Sequence, residues 1–219
     1  SGRKGFPYLS ATAQERMLRY QPKFRAPEKT LQPPNLAEAM QISPGVTPAN
    51  ANPNDLALDI LTPSGETRSL DDPALTRELV EGLRGENSLT LVRSDRAMTD
   101  CRPLSLISLQ TIHQVEAEMG MPVDKRRFRA NVYIDMASDE GFAEDDLVGK
   151  RLRLGEKAEI MVLERDPRCK MISLDPETGE HNPEILRQIA QKHGNDAGVY
   201  CAVLVEGVLE KGDAVTQLD

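Results

Sequence analysis

Short apolar or alternating runs recur at close spacing through the second half of this chain, and they constrain the fold more than any other feature. We predict strands at 132–134, 151–154, 159–164, 170–174 and 200–206. Two helices are predicted in the same half, one from Ser105 or Ser108 to Gly120 and one from Asn182 to about His193. Many short strands interrupted by a few helices predict an α+β, mainly β fold, in which a small β-barrel carries inserted helices.

The first half of the chain shows fewer regular patterns. An alternating strand is predicted at 56–61 and another strand at 88–93. A helix is predicted from Asp72 to about Leu83, because Asp favours the N-cap and Pro73 suits the first helical turn. Six prolines between residues 26 and 55 predict an irregular connection.

Composition excludes several classes of function. The net charge is −8 at pH 7, which argues against a general nucleic-acid binder. The main basic cluster, at 125–129, is local, so we expect any anionic ligand to be small. No apolar run approaches the roughly 20 residues that span a bilayer, and no secretory signal is visible. Three cysteines do not form a disulfide framework, so we expect a cytoplasmic protein without a membrane partner.

The residue with the strongest chemical signal is Cys169, which has cationic side chains at positions 165, 168 and 170. Nearby positive charge favours the thiolate, which is the form of cysteine that attacks electrophiles and binds metals. The alternative is a buried cysteine that acts as a small hydrophobe. The spacing of the three histidines matches no zinc pattern.

Two further segments are candidates for binding an anion. Arg127 and Arg129 alternate in sequence and would point to one side of an extended segment, with Asn131 as a neutral donor and acceptor. The alternative is a solvated basic patch. The run from Asp100 to Ser105 leads into a predicted helix, whose first amides would hold an anion or simply form a turn and cap. Cys101 is a candidate to line the same cavity, whereas Cys201 is predicted to lie in the core.

Taken in order, these motifs resemble a MOSC domain, the β-barrel domain named for the C-terminal part of molybdenum cofactor sulfurases. The resemblance covers about residues 95–219. The motifs that carry it are Asp100-Cys101-Arg102-Pro103, Leu106-Ile107-Ser108 before a helix, Arg127-Phe128-Arg129-Ala130-Asn131, Phe142-Ala143-Glu144-Asp145 with Gly149, Arg168-Cys169, Asp175-Pro176-Glu177-Thr178-Gly179, Gly198-Val199-Tyr200 and Gly212-Asp213.

Residues 6–93 resemble, less strongly, the β-rich domain that precedes MOSC in amidoxime-reducing and YcbX-like proteins. The resemblance therefore divides the chain into a smaller N-terminal domain, 1–93, which contains the irregular segment 26–55, and a MOSC domain, 94–219.

The resemblance also implies a cofactor and roles for individual residues. The cysteine that matches Cys169 ligates molybdenum held by a pterin dithiolene, and a soft thiolate suits such a metal. The positions that match Arg129 and Asn131 contact the pterin or its phosphate, and Cys101, Arg102, Arg127 and Arg168 are expected around the same cofactor. Asp100 would orient a metal-bound water or relay a proton.

The family reaction is a two-electron reduction of N-hydroxylated small molecules such as amidoximes and hydroxylamines. The electrons come from a separate flavin or iron–sulfur protein.

Two departures from the family pattern lie near the N-terminus. Relatives carry a Tyr-Pro-Val-Lys-type strand before the point where this sequence begins, and an Arg where this chain has Thr12. Loss of two cations would weaken the hold on a phosphate, and a missing strand would leave an open edge that favours a homodimer. Two alternatives to the reductase follow: a sulfur carrier with a persulfide on Cys169, and a degenerate, non-catalytic binding module.

Overall fold

The computed structural model describes residues 8–31, 56–83, 88–92 and 101–219, and these fall into two compact units. Of the described residues, the first unit contains 8–31, 56–83, 88–92 and 174–182, and the second contains 101–173 and 183–219. Most of the segment predicted to be irregular, 32–55, lies outside the described residues. The domain boundary after residue 93 stays a prediction.

The first unit is built on a three-stranded antiparallel sheet in the order β1-β2-β3, with β1 Gln21–Phe24, β2 Leu58–Leu61 and β3 Thr67–Ser69. Two helices accompany it, α1 Pro27–Leu31 and α2 Pro73–Val80. The carboxylate of Asp72 accepts a hydrogen bond from the amide of Ala74 at 2.8 Å, which confirms the predicted helix start. Residues 88–92 form no strand, so that prediction is wrong over the part the structure describes.

The second unit is a six-stranded sheet in the order β5-β4-β8-β7-β6-β9. Its strands are β4 Leu104–Ser108, β5 Val132–Ile134, β6 Arg151–Leu154, β7 Ala158–Pro167, β8 Asp196–Val205 and β9 Val215–Leu218. The β4–β5 pair is parallel and the other pairs are antiparallel. The sheet curls into a half-barrel, and the predicted fold class, α+β and mainly β, is confirmed.

Helices α3 Leu109–Met119 and α4 Pro183–Lys192 complete the second unit, together with three short 3₁₀ helices, Lys125–Phe128, Ala143–Leu147 and Lys170–Ser173. Neighbouring side chains of a strand point to opposite faces. Accordingly, Leu106 and Ile107 of β4 belong to two different hydrophobic clusters. Among the described residues, Phe128 is the aromatic one of the buried side chains in these clusters, and Tyr133 and Phe142 pack against them. Aliphatic side chains therefore do most of the packing, as the composition predicts.

The start of α3 is held by Glu144, a fully buried carboxylate. It accepts hydrogen bonds from the hydroxyls of Ser108 at 2.7 Å and Thr111 at 2.8 Å, and from the Ser108 amide at 3.2 Å. The hydroxyl of Ser108 in turn caps α3 by accepting from the Thr111 amide at 3.0 Å. This network joins β4, α3 and the 3₁₀ helix of Glu144, because a buried carboxylate requires hydrogen-bond donors on all sides.

Three sequence predictions in this unit need correction. Of the two predicted helix starts, Ser108 is confirmed as the N-cap and Ser105 is wrong, because residues 104–108 form a strand that pairs with both β5 and β8. The predicted strand 170–174 is instead a 3₁₀ turn at Lys170–Ser173, which brings the Ile172 amide to the carbonyl of Cys169 at 3.2 Å. Arg127 and Arg129 do not lie in an extended segment, because Arg127 is in a 3₁₀ helix and Arg129 has a left-handed φ of 54°.

Candidate functional site

A cavity of about 580 Å³ lies in the second unit. It is lined by side chains from residues 101–105, 127–131 and 166–172, and by Tyr200 of β8. These segments meet because β4 and β7 both pair with β8: Tyr200 lies opposite Ser105 on one side and Glu164 on the other. The predicted site residues Cys101, Arg102, Arg127, Arg129, Asn131, Arg168 and Cys169 all line this cavity. Asp100 lies outside the described residues.

Cys169 follows the end of β7 and precedes the 3₁₀ turn Lys170–Ser173. Its side chain is exposed and lines the cavity, so the alternative of a buried small hydrophobe does not apply. Cys201 does take that role: it is fully buried in the core, as predicted, and burial raises the pKa of its thiol to about 12. Cys169 is therefore available to a ligand and Cys201 is not.

Arg168 is the side chain that ties the cavity wall together. Its side chain is only 8% exposed, and its guanidinium lies 2.8 Å from the Asp166 carboxylate, which is 5% exposed. The same guanidinium donates from Nε to the Ala197 carbonyl at 2.7 Å and from Nη1 to the Phe128 carbonyl at 2.8 Å. It also lies over the Phe128 ring, 5.5 Å from the centroid. Arg168 thus joins the ends of β7 and β8 to the basic segment 125–129.

The space for Arg168 depends on Gly198 of β8. A Cβ at this position would lie 2.7 Å from the Leu106 carbonyl oxygen and 3.1 Å from Nη2 of Arg168. Its φ of +82° also belongs to the region that favours glycine.

Burial lowers the pKa of the Arg168 guanidinium, and the charge of Asp166 acts in the opposite direction.

Arg129 and Asn131 present donors from the segment that precedes β5. Arg129 is exposed and ends the 3₁₀ helix in the left-handed conformation. The carbonyl oxygen of the Asn131 side chain accepts from the amide of Ser105 at 2.9 Å and from its hydroxyl at 3.2 Å. Because these bonds occupy the amide oxygen, the NH₂ group is the part of Asn131 that suits a ligand.

Arg102 connects the segment before β4 to β7. Its guanidinium contacts Glu164 at 2.7–2.8 Å, and both side chains are more than 40% exposed. This segment precedes a strand, and α3 begins at Leu109, four residues after Ser105. Of the two alternatives for this segment, the amides of a helix start therefore do not apply to residues 101–105. The neighbouring Cys101 is exposed and lines the cavity.

Asp166 and Tyr200 are the site residues to which the sequence analysis gave no role. Burial raises the pKa of the Tyr200 hydroxyl, and the charge and hydrogen bond of Asp166 raise it further. Tyr200 lies in the Gly198-Val199-Tyr200 motif of the family resemblance, and Asp166 lies two residues before the Arg168-Cys169 motif. Their partnership is invisible in sequence, because it depends on the pairing of β7 with β8.

The charges of the lining residues make the cavity cationic in a chain whose net charge is −8. Four arginines and one carboxylate line it, together with two exposed thiols. Arginine suits bidentate recognition of phosphate or carboxylate groups. The arrangement can therefore hold a small anion beside a thiol.

Two other kinds of site, a cluster of metal ligands and a membrane-spanning helix, are absent from the residues that the structure describes. Within that part of the chain, no three His, Cys, Asp or Glu side chains are grouped so as to hold a metal ion. Within the same residues, no helix has both the length and the apolar character needed to cross a membrane.

Comparison with known proteins gives the family. The sequence model of the MOSC domain matches residues 93–216, which is more than half of the chain. The chain therefore belongs to the MOSC domain family.

Curated relatives include the molybdenum cofactor sulfurases of Drosophila persimilis and Drosophila pseudoobscura pseudoobscura, each 29% identical over 115 residues, or 52% of this chain and 13% of the relative. The sulfurase of Drosophila ananassae is 33% identical over 86 residues, covering 39% of this chain and 10% of the relative. The chain thus spans only a small part of the length of these relatives. Among solved structures, the crystal structure of YiiM from Geobacillus stearothermophilus matches with a TM-score of 0.43 and 23% identity, covering 54% of this chain and 55% of that one.

Proposed function

We propose that this chain holds the molybdenum cofactor in the cavity and reduces N-hydroxylated small molecules. The observation that carries the proposal is the exposed thiol of Cys169 in a cavity lined by four arginines. Such a cavity places a soft metal ligand close to an anion site, so that one bound cofactor can contact both. Membership in the MOSC family supports the same cofactor.

The residues present fit a pterin-bound molybdenum. Cys169 would supply the protein's thiolate ligand, and Arg127 and Arg129 would bind the phosphate. The NH₂ group of Asn131 would donate to the pterin or its phosphate, with Cys101 and Arg102 beside it. Arg168 would act differently from the sequence expectation, because its hydrogen bonds to Phe128 and Ala197 direct it toward the protein, where it positions Cys169 and the basic segment.

When bound, the cofactor would supply a two-electron redox centre. The overall reaction of a hydroxylamine consumes two electrons and two protons and releases an amine and water. The electrons would come from a separate flavin or iron–sulfur protein. Asp100 is the proposed proton relay, and we expect Tyr200, whose hydroxyl pKa is raised, to remain protonated in the cavity wall. A cytoplasmic location and a homodimer remain part of this proposal.

Elemental analysis tests the proposal directly. Molybdenum per chain is measured on protein from a molybdate-supplemented host for the wild type, Cys169→Ala, Arg129→Ala and Cys201→Ala. We expect near-stoichiometric metal in the wild type and in Cys201→Ala, less in Arg129→Ala and none in Cys169→Ala. Equal metal in wild type and Cys169→Ala would remove Cys169 as the ligand, and no metal in any variant would reject the cofactor.

A second candidate function is a sulfur carrier with a persulfide on Cys169. The similarity to molybdenum cofactor sulfurases and the exposed thiol among cations favour it. Intact-mass analysis of freshly prepared protein would then show about 32 Da added to Cys169, the mass of one sulfur atom. A folded protein with neither molybdenum nor persulfide would instead support the non-catalytic binding module.

A further inference from the structure

The cavity contains a second thiol for which the proposed reaction has no chemical use. Cys101 and Cys169 are both exposed, and both line the cavity. The remaining cysteine, Cys201, is fully buried in the core and does not line it. Two solvent-accessible thiols in one cavity can react with each other as well as with a ligand.

The segments that carry the two thiols approach each other across β8. Cys101 lies in a bend that precedes β4, and Cys169 follows the end of β7. Arg102, the neighbour of Cys101, reaches Glu164 of β7 with Nε 2.8 Å from Oε1. Because β8 lies between β4 and β7, this ion pair places the bend over β8.

Tyr200 of β8 is the common neighbour of both segments. It lines the cavity and hydrogen-bonds to Asp166, three residues before Cys169, and the charge of a Cys101 thiolate acts on its hydroxyl. On the other side, Arg168 interacts electrostatically with both Tyr200 and Cys169. Tyr200 and Arg168 together therefore connect the surroundings of the two thiols.

Neither cysteine is held in a strand. The bend at 101–103 makes an exposed ion pair through Arg102, and such pairs contribute only about 0.2–1 kcal/mol. A disulfide requires the two Cα atoms to approach within about 7 Å. Cys169 follows Arg168, whose amide donates to the Asn195 carbonyl at 2.8 Å, so the approach of the two thiols would come from movement of the bend at 101–103.

We propose that Cys101 is the resolving thiol of Cys169, so that the two form a reversible disulfide when a peroxide enters the cavity. The Cys169 thiol is first oxidised to a sulfenic acid, and hydrogen peroxide is reduced to water. The Cys101 sulfur then attacks the Cys169 sulfur, the S–S bond forms, and the hydroxyl leaves as a second water. A dithiol reductant restores both thiols.

This pair controls whether Cys169 is available in the cavity. As a disulfide, Cys169 can neither ligate a metal nor hold a persulfide. As a sulfenic acid without Cys101, it would proceed to the irreversible sulfinic acid under excess peroxide. Cys101 thus protects Cys169 from irreversible oxidation and makes the oxidation of its thiol reversible.

Peptide mapping after treatment with hydrogen peroxide tests the proposal, on the wild type, Cys101→Ser, Cys169→Ser and Cys201→Ala. We expect a cross-linked peptide that joins Cys101 to Cys169 and is about 2 Da lighter than its two parts in the wild type and in Cys201→Ala only. In Cys101→Ser, we expect dimedone to trap the sulfenic acid of Cys169 and sulfinic acid to accumulate. Dithiothreitol should restore iodoacetamide labelling of Cys169 in the wild type but not in the overoxidised Cys101→Ser.

Equal sulfinic acid in wild type and Cys101→Ser, with no cross-linked peptide, would overturn the proposal. So would a cross-link found only between two chains, seen as a doubled mass on a non-reducing gel. Because Cys101 is exposed, circular dichroism of Cys101→Ser is expected to match the wild type. The experiment needs no molybdenum, so its failure and the failure of the cofactor proposal are separate results.

Discussion

Replacement of Arg168 by Met gives the sharpest test of how the cavity is held together. The substitution keeps an unbranched side chain of similar length and removes the charge. It removes the guanidinium that pairs with Asp166, whose side chain is 5% exposed, and that donates to the carbonyls of Ala197 and Phe128.

The magnitude follows from the burial of the pair. Removing one partner of a buried ion pair costs about 3–5 kcal/mol, because the other charge stays buried and uncompensated. A domain is typically stable by about 5–15 kcal/mol, so Arg168→Met should remove a large share of the free energy of unfolding. Arg168→Lys should recover only part of the loss, since an ammonium can pair with Asp166 but lacks the planar fork that spans two carbonyls.

Urea unfolding followed by far-ultraviolet circular dichroism measures these losses, with the denaturant slope checked for each variant. Arg102→Met is the matched control, because its ion pair with Glu164 is exposed on both sides and should contribute no more than about 1 kcal/mol. The double variant Arg168→Met/Asp166→Asn should be more stable than Arg168→Met alone. If Arg168→Met loses no more stability than Arg102→Met, the buried contacts of Arg168 do not stabilise the fold as we infer.

Three further predictions concern the same unit. Glu144→Ala should lower the free energy of unfolding by several kcal/mol, because the Ser108 and Thr111 hydroxyls lose charge-assisted hydrogen bonds of about 1.5–3 kcal/mol each. Urea unfolding measures this loss, and a loss below about 1 kcal/mol would contradict the prediction. Gly198→Ala should destabilise the folded protein more than Gly212→Ala does. Both glycines have a positive φ, but of the two only Gly198 has a backbone oxygen within 3 Å of the added Cβ. Equal losses of stability in thermal unfolding would refute the steric argument. Burial acts to raise the pKa of Glu118, but hydrogen bonds from His193, Gln114 and Gln188 outweigh it and lower the pKa to about 2. The stability from this depressed pKa is present above about pH 4.5 and is lost as pH falls toward 2, so Glu118→Gln should flatten the acid limb of a stability–pH curve; an unchanged limb would count against it.

Much of the site was predictable because its chemistry is local in sequence. Arg168-Cys169 and Arg127 to Asn131 are short motifs, and the structure brings both to one cavity together with Cys101 and Arg102. The function of Arg168 was not predictable, because its carbonyl partners lie 29 and 40 residues away. The same holds for Glu144, whose partners are on β4 and α3.

Errors in secondary structure have a common physical origin. Residues 104–108 and 170–173 are short apolar runs, and such runs fit a strand or a buried helical turn equally well. Pairing with β5 and β8 makes the first a strand, whereas no named strand pairs with the second among the described residues. Longer periodic segments, such as α3 with its Ser108 cap and Gly120 end, were predictable because caps and periodicity agree.

The sequence by itself determined the family, the aliphatic character of the core and the cationic, thiol-bearing motifs, because these depend on residue types and short spacings. Only the tertiary structure decided which thiols face solvent and which arginine is buried and joins the strands to the basic segment 125–129. Exposure and hydrogen-bond partners depend on which strands pair, and the pairing of β4 and β7 with β8 joins residues far apart in the chain. That pairing buries Cys201, leaves Cys101 and Cys169 exposed in one cavity, and directs Arg168 into the protein.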